Sequence, residues 1–319
     1  MLSLAASSRR VSCGAIFLAL AGTLLSCGKG EEAVKVDLSQ RETTRKASTT
    51  KPIRIAVSAM ISPKETFSYY KELLDYIGLR LAGRADAVQL VQRKTYAEVN
   101  ALLERREIDA AFVCAGPYVD GHRKFGMELV AAPSVNGKAV YYSYAITHID
   151  SPAKTLADLQ GRRFAFTDPD SNTGCLVPRY ELARSGKSAD SFFKEIIFTG
   201  GHDNSIRAVS EKFVEGAAVD NLIWEYLHAK KPEAVARTRV LERWGPYAMP
   251  PFVVHPGCAP DLKNRLREIL LGMREDPKGR DILAKLNIDR FVPIEDDRYE
   301  SVRAMQEWLK GHRQKTPAP

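Results

Sequence analysis

Three short segments carry the residue types from which an anion site is made. Asp168-Pro169-Asp170-Ser171-Asn172-Thr173-Gly174 lies between a predicted strand and a predicted helix. Ser171, Asn172 and Thr173 supply hydroxyl and amide donors there, and Gly174 lets a ligand approach the backbone. A helix N-terminus leaves N–H groups unpaired and carries the positive end of the helix dipole, so this arrangement attracts an oxyanion. The same residues also make an ordinary N-cap, so this segment does not decide the matter alone. Gly200-Gly201-His202-Asp203-Asn204-Ser205 is a second strand-to-helix junction, where His202 either donates to an anion or caps. Ala217-Ala218-Val219-Asp220-Asn221 is a strand that ends in a carboxylate. In an open α/β sheet ligands bind beyond the carboxyl ends of strands, and all three segments fall at that edge.

Other chemistries find little support. The histidines at 122, 148, 202, 228, 255 and 312 are scattered, with no His-x-x-x-His or Cys-x-x-Cys spacing for a metal. There is no phosphate loop, no G-x-G-x-x-G after a strand and no Gly-x-Ser-x-Gly. No metal and no cofactor are implied. Cys114 reads first as a small core residue in a buried strand. A nucleophilic Cys114 or Cys175 that meets a histidine in space is the enzymatic alternative.

The elements that must position these residues alternate. Ile53–Ala59 is strand-like, and Thr66–Leu81 places Phe67, Tyr70, Leu73, Leu74, Ile77 and Leu81 at helical spacing. Strands are predicted at 87–92, 108–114, 129–133 and 140–149, with a helix at 96–105. The pattern restarts with strands at 163–167, 195–198, 216–219, 239–242 and 252–255. Helices are predicted from about Pro178, at 206–212 and at 222–229. The end is helical at 261–274, 278–286 and 298–310. This order predicts an α/β fold of two lobes, each a mixed, mostly parallel sheet flanked by helices. The crossings are placed near His148 and Arg243, giving lobe 1 as 53–147 and 244–312 and lobe 2 as 148–243.

The N-terminus reads as a lipoprotein signal over residues 1–26. Arg9 and Arg10 form its basic region, Ala15–Leu25 an apolar run too short to span a bilayer, and Leu24-Leu25-Ser26-Cys27 a lipobox. Cleavage before Cys27 and lipidation of its thiol are expected, with a secretory signal and an incidental Cys27 as the alternative. Val11-Ser12-Cys13, directly after the Arg9-Arg10 pair, matches a twin-arginine signal poorly. Residues 27–52 read as a lipidated flexible tether, and residues 313–319 as a disordered tail. Cys114, Cys175 and Cys258 remain, an odd number that leaves at least one thiol in an oxidising compartment.

The chain of 319 residues has a net charge of +8. Arg9 and Arg10 account for two of those charges. The tether, six basic against four acidic, accounts for two more, and the folded part keeps about +4. That balance points to no nucleic-acid partner.

Taken in order, these segments resemble the phosphate/phosphite/phosphonate-binding proteins of ABC importers. The resemblance covers about residues 53–290. It runs through Thr95–Val99, Ile108–Phe112 with Gly116-Pro117-Tyr118, Ser151-Pro152, Leu156–Gly161, Asp168–Pro178, Gly201–Asn204 and Ala218–Asp220. It implies a two-lobed clamp of the periplasmic-binding-protein type 2 class, a monomer that closes on a small oxyanion and delivers it to a permease with its ATPase. It also implies an exported place, facing the periplasm or cell exterior, with the membrane held through lipid on Cys27. Carried over by position, Tyr96 and Tyr141 give phenolic bonds from the first lobe. Ser171, Asn172 and Thr173 surround the anion, His202 adds a donor, and Tyr118 lies near the cleft.

Two departures bear on the ligand. The family loop usually reads Ser-Thr-Ser-Gly followed by an aromatic, whereas here Ser171-Asn172-Thr173-Gly174 is followed by Cys175. Asn172 adds an acceptor, which disfavours a fully ionised phosphate. Aminophosphonate binders use carboxylates for the amine; Asp220 can serve, but Pro250-Pro251 stands where a second would be expected. A ligand without an amine is therefore favoured, held with no Arg or Lys contact unless Lys138 provides one. A sensor module built on the same clamp, or a binder of another small oxyanion, are the alternative functions.

Overall fold

The computed structural model describes residues 51–313. The signal segment, Cys27, nearly all of the tether and residues 314–319 lie outside the described residues. Eleven strands are formed among them: β1 Ile53–Val57, β2 Val88–Gln92, β3 Ala110–Phe112, β4 Glu128–Ser134, β5 Val140–His148, β6 Arg163–Phe166, β7 Glu195–Phe198, β8 Gly216–Asp220, β9 Thr238–Ala248, β10 Phe252–Val254 and β11 Arg290–Val292. They make two sheets, ordered β11-β4-β10-β3-β1-β2 and β7-β6-β8-β5-β9. In each, the β-α-β units pair in parallel, β1 with β2 and β3, β6 with β7 and β8. The strands that arrive by a return, β5, β9, β10 and β11, pair antiparallel, so both sheets are more mixed than the β-α-β order suggested.

Alternation along each strand feeds two faces. Ile55 and Val57 pack with Leu73, Leu74 and Ile77 of the helix Pro63–Ala82. Ala56 between them packs with Val99, Leu102 and Leu103 of the helix Tyr96–Glu104. In the second sheet Phe164 and Phe166 face one cluster and Ala165 the other. Helices on both faces leave the carboxyl ends of the strands as the accessible edge.

One expectation needs correction, and two elements had none. The chain leaves the first sheet after Ser134 and enters the second at Val140; it returns between Ala248 and Phe252. The crossings placed near His148 and Arg243 fall inside β5 and β9, which pair from Val140↔Ala248 to His148↔Thr238. Gly245 and Pro246 lie within β9, and the register shift between Tyr141 and Ser143 accommodates them in the ladder. The helix at Ala115–Phe125 had no sequence prediction. Gly116, Pro117 and Gly121 are weak helix formers, yet Pro117 sits in the first turn, where no N–H is required, and Gly126 closes the end at φ 78°. The other element, β11, is a three-residue edge strand too short to show a period.

Candidate functional site

Where strand ends of the two sheets meet, five buried side-chain atoms have no hydrogen-bond partner within the protein. They are Ser58 Oγ, Tyr96 OH, Asn172 Oδ1, Thr173 Oγ1 and His202 Nε2. An unpaired buried polar group costs about 1–3 kcal/mol, so the four that can donate cost together roughly 4–12 kcal/mol that a ligand's oxygens would relieve, while Asn172 Oδ1 can only accept.

Ser58 and Tyr96 come from the first sheet. Ser58 follows β1, and its N–H donates to the Phe112 carbonyl at 3.0 Å, so it continues the sheet edge. Tyr96 opens its helix behind a capping box in which Thr95 and Glu98 bond each other's backbone N–H. The Tyr96 N–H donates to Asp168 Oδ2 at 3.2 Å, tying this helix end to the loop after β6. The ring packs against Ala59, Met60 and Cys114. Burial pushes its hydroxyl far above the ordinary phenol range, with Cys114, Asp168 and Asp220 adding to the effect, so it stays a donor.

Asn172 and Thr173 sit in a widened turn, Asn172–Leu176, that leads into the helix Val177–Arg184. Ser171 starts it, its Oγ accepting from the Gly174 N–H at 3.0 Å. Pro178 explains the widening. It has no N–H for the Gly174 carbonyl, and the Val177 N–H goes back to Asn172 O, one residue further than in an α-helix. The two stranded carbonyls are taken from outside: Thr173 O by Ser143 Oγ at 2.6 Å, Gly174 O by the Thr167 N–H at 3.1 Å. The turn is thereby fastened to β5 and to the end of β6.

Gly174 has a different task from the one its sequence suggested. A Cβ there would stand 2.5 Å from Thr167 Oγ1 and 2.9 Å from Ser171 Oγ. It is small because Thr167 packs on it, and Thr167 in turn lies 2.9 Å from His202 Nδ1. His202 opens the helix His202–Ser210, its N–H donating to Met60 O at 2.9 Å. His202 Nδ1 accepts the Asp220 N–H at 3.1 Å. With Nδ1 an acceptor, the ring proton is on Nε2. Burial lowers the imidazole to about 3, so at neutral pH the ring is uncharged and presents a single donor.

Tyr141, in β5, brings its hydroxyl to Asn172 Nδ2 at 2.9 Å and to Cys114 Sγ at 3.7 Å. In that orientation Asn172 Oδ1 faces the site; turning the amide over makes the tyrosine the donor and presents Nδ2 instead. Asp220 ends β8, and its Oδ1 accepts the Leu222 N–H at 2.8 Å. Burial raises its carboxyl to about 7. Burial also raises the Cys114 thiol, which works against a reactive thiolate. Cys114, Cys175 and Cys258 form no disulfide.

Seven of the eight predicted side chains thus gather: Tyr96, Tyr141, Ser171, Asn172, Thr173, His202 and Asp220. Tyr118 does not join them. It lies one turn into its helix, donates to Asp296 Oδ1 at 2.8 Å and packs on Tyr299, with ring centroids 4.5 Å apart. Lys138 is exposed in the turn between β4 and β5, and among the described residues the bonds of the gathered side chains involve no arginine or lysine. Sequence reasoning missed Ser58 and Thr167. Both follow the carboxyl end of a strand, the same positional signal that singled out His202 and Asp220.

This is a clamp-like α/β fold with an uncharged cage of donors between its sheets. The family model for "ABC transporter, phosphonate, periplasmic substrate-binding protein" matches residues 55–299, and the chain belongs to that family. It is 25% identical over 189 residues to the phosphonates-binding periplasmic protein of Escherichia coli K12, covering 57% of this chain and 55% of that one. It is 29% identical over 163 residues to a probable ABC transporter phosphite binding protein of Prochlorococcus marinus, covering 48% and 53%. The chain thus spans about half the length of these curated relatives. Among solved structures, a binding protein component of an ABC phosphonate transporter from Pseudomonas aeruginosa aligns with TM-score 0.76 at 21% identity, over 82% of this chain and 87% of that one. At that identity the likeness speaks for the fold.

Proposed function

We propose that the chain is an extracytoplasmic solute-binding protein of an ABC importer that captures a phosphonate or phosphite between its two sheets and delivers it unchanged to the permease. The reading rests on one observation above others: the buried cage of Ser58, Tyr96, Thr173 and His202, whose polar atoms lack protein partners. Uncharged donors suit an oxyanion whose charge is offset by many dipoles, and each bond to a charged oxygen contributes about 1.5–3 kcal/mol. Family membership and the names of the relatives point the same way.

The two sheets act as lobes, with the short passages at 135–139 and 249–251 as hinges. Closure is held by bonds from one to the other, Met60 O to His202 N and Ser62 N to Asp203 Oδ1 at 2.9 Å. A ligand bonded to both lobes shifts the population toward the closed state. Lipidation at Cys27 tethers the clamp to the membrane, and mass spectrometry of the mature chain tests it. Calorimetric titration of the mature protein with phosphite, methylphosphonate, phosphate, 2-aminoethylphosphonate and sulfate tests the function. The double variant Thr173→Ala/His202→Ala weakens the best phosphorus oxyanion at least tenfold; unchanged affinity refutes the site.

A further inference from the structure

A cavity of about 130 Å³ adjoins the donor cage and extends between the two sheets. Met60, Tyr70, Phe112, Leu222, Ile223 and Phe291 are among the side chains that line it. Two residues belong to both spaces. Met60 lines the cavity, packs against Tyr96 and Cys114, and gives its carbonyl to the His202 N–H. Asp220 lines the cavity while its N–H holds His202 Nδ1. Tyr70, within the cavity wall, is pushed up to about 12 by burial and by the charge of Asp220. The cage and the cavity therefore share Asp220 and Met60 in their walls.

Three carboxyl groups touch this cavity, and each is already engaged. Glu65 is paired with Lys231 at 2.8 Å, Asp203 accepts the Ser62 N–H, and Asp220 caps the helix Asn221–Lys230. Pro250 occupies the wall as well. An ammonium group would leave water for a mostly carbon-lined space at a desolvation cost, and the carboxyl groups it could meet already hold protein partners. An apolar group would gain from the same lining.

We propose, resting on the oxyanion-binding reading above, that the substrate is a phosphonate with a bulky apolar substituent, alkyl of about four carbons or aryl. Its three oxygens meet the donor cage and its carbon arm enters the cavity beside Asp220 and Met60. The size agrees: a dry cavity of about 150 Å³ takes a benzene ring. A tetrahedral phosphonate has three oxygens and one carbon, so the fourth direction must point away from the donors. Inorganic phosphate places a fourth oxygen there, facing carbon.

Calorimetry across a homologous series tests this, using methyl-, ethyl-, butyl- and phenylphosphonate together with phosphate, phosphite and 2-aminoethylphosphonate. Affinity should rise about fourfold per methylene from methyl to butyl, the equivalent of burying each CH₂. Phenylphosphonate should bind at least thirtyfold tighter than methylphosphonate. Filling the cavity with Ile223→Trp should cut the butyl-to-methyl affinity ratio at least tenfold. If methylphosphonate binds but affinity is flat or falls toward butyl, or if 2-aminoethylphosphonate outbinds ethylphosphonate, the inference is overturned while the oxyanion function stands. If no phosphorus oxyanion binds, both fall together.

Discussion

Two strand-to-helix junctions touch each other where the sheets meet, and they end differently. One runs from Cys114 into the helix Ala115–Phe125, the other from Asp168 through the widened turn into Val177–Arg184. Both carry a glycine and a proline, and both are packed closely: a Cβ on Gly116 would stand 2.5 Å from Asp170 O. At the first, the conspicuous polar side chain, Tyr118, is engaged by Asp296. At the second, Thr173 Oγ1 and Asn172 Oδ1 have no protein partner. Residue type and local geometry mark a candidate, while the neighbour across the interface decides whether its donor is available.

Gly174→Ala puts this contrast under the most strain. The added methyl displaces Thr167 and with it the His202 ring, costing about 1–3 kcal/mol in chemical denaturation as overpacking does, and lowering oxyanion affinity more than tenfold. Stability and affinity both at wild-type levels would show that the turn is looser than its contacts imply. Next comes a pair of tyrosines. Tyr96→Phe should lower affinity about tenfold with little change in fold, whereas Tyr118→Phe should leave affinity within twofold and lower stability by about 1 kcal/mol. Equal losses of affinity would erase the distinction between the junctions.

A weaker dependence concerns pH. Asp220 is raised to about 7, so below that pH its carboxyl is neutral and above it a negative charge returns beside the ligand. Methylphosphonate affinity should therefore fall about threefold more between pH 6.5 and 8.5 in the wild type than in Asp220→Asn, which keeps the helix cap. Parallel profiles would remove Asp220 from the site. Folding stability responds with opposite signs at the two groups. The contribution of Asp220, raised from 3.8, is present below that value and lost as pH rises through about 7. The contribution of His202, lowered from 6.5, is present above 6.5 and lost as pH falls through about 3. Urea titrations of Asp220→Asn and His202→Gln against pH separate the two.

Much of the site was legible because it sits at strand ends, where alternation stops and polar residues begin. Ser171, Asn172, Thr173, His202 and Asp220 all announce themselves in that way. Ser58 was equally placed but lacked a polar neighbour, since the predicted strand runs through it to Ala59. Thr167 looked like the last residue of its strand, and only its 2.9 Å approach to His202 Nδ1 reveals that it lies beside the imidazole. The crossings between the sheets were misplaced because β5 and β9 pair along their whole length, a contact between distant segments that no local period shows.

From residues alone came the alternation of strand and helix, the apolar stripes that cover both sheet faces, and the donors at the strand ends. These arise from the periods of two and 3.6 and from the turn chemistry of Gly, Pro, Ser and Asn, which act over a few residues. Folding in three dimensions decided which donors stay unpaired, which carboxylates are engaged, and that a carbon-lined cavity opens beside the cage. Those outcomes depend on partners 18 to 178 positions away, as between Asp220 and His202 or Tyr118 and Asp296, and no local pattern carries such distances.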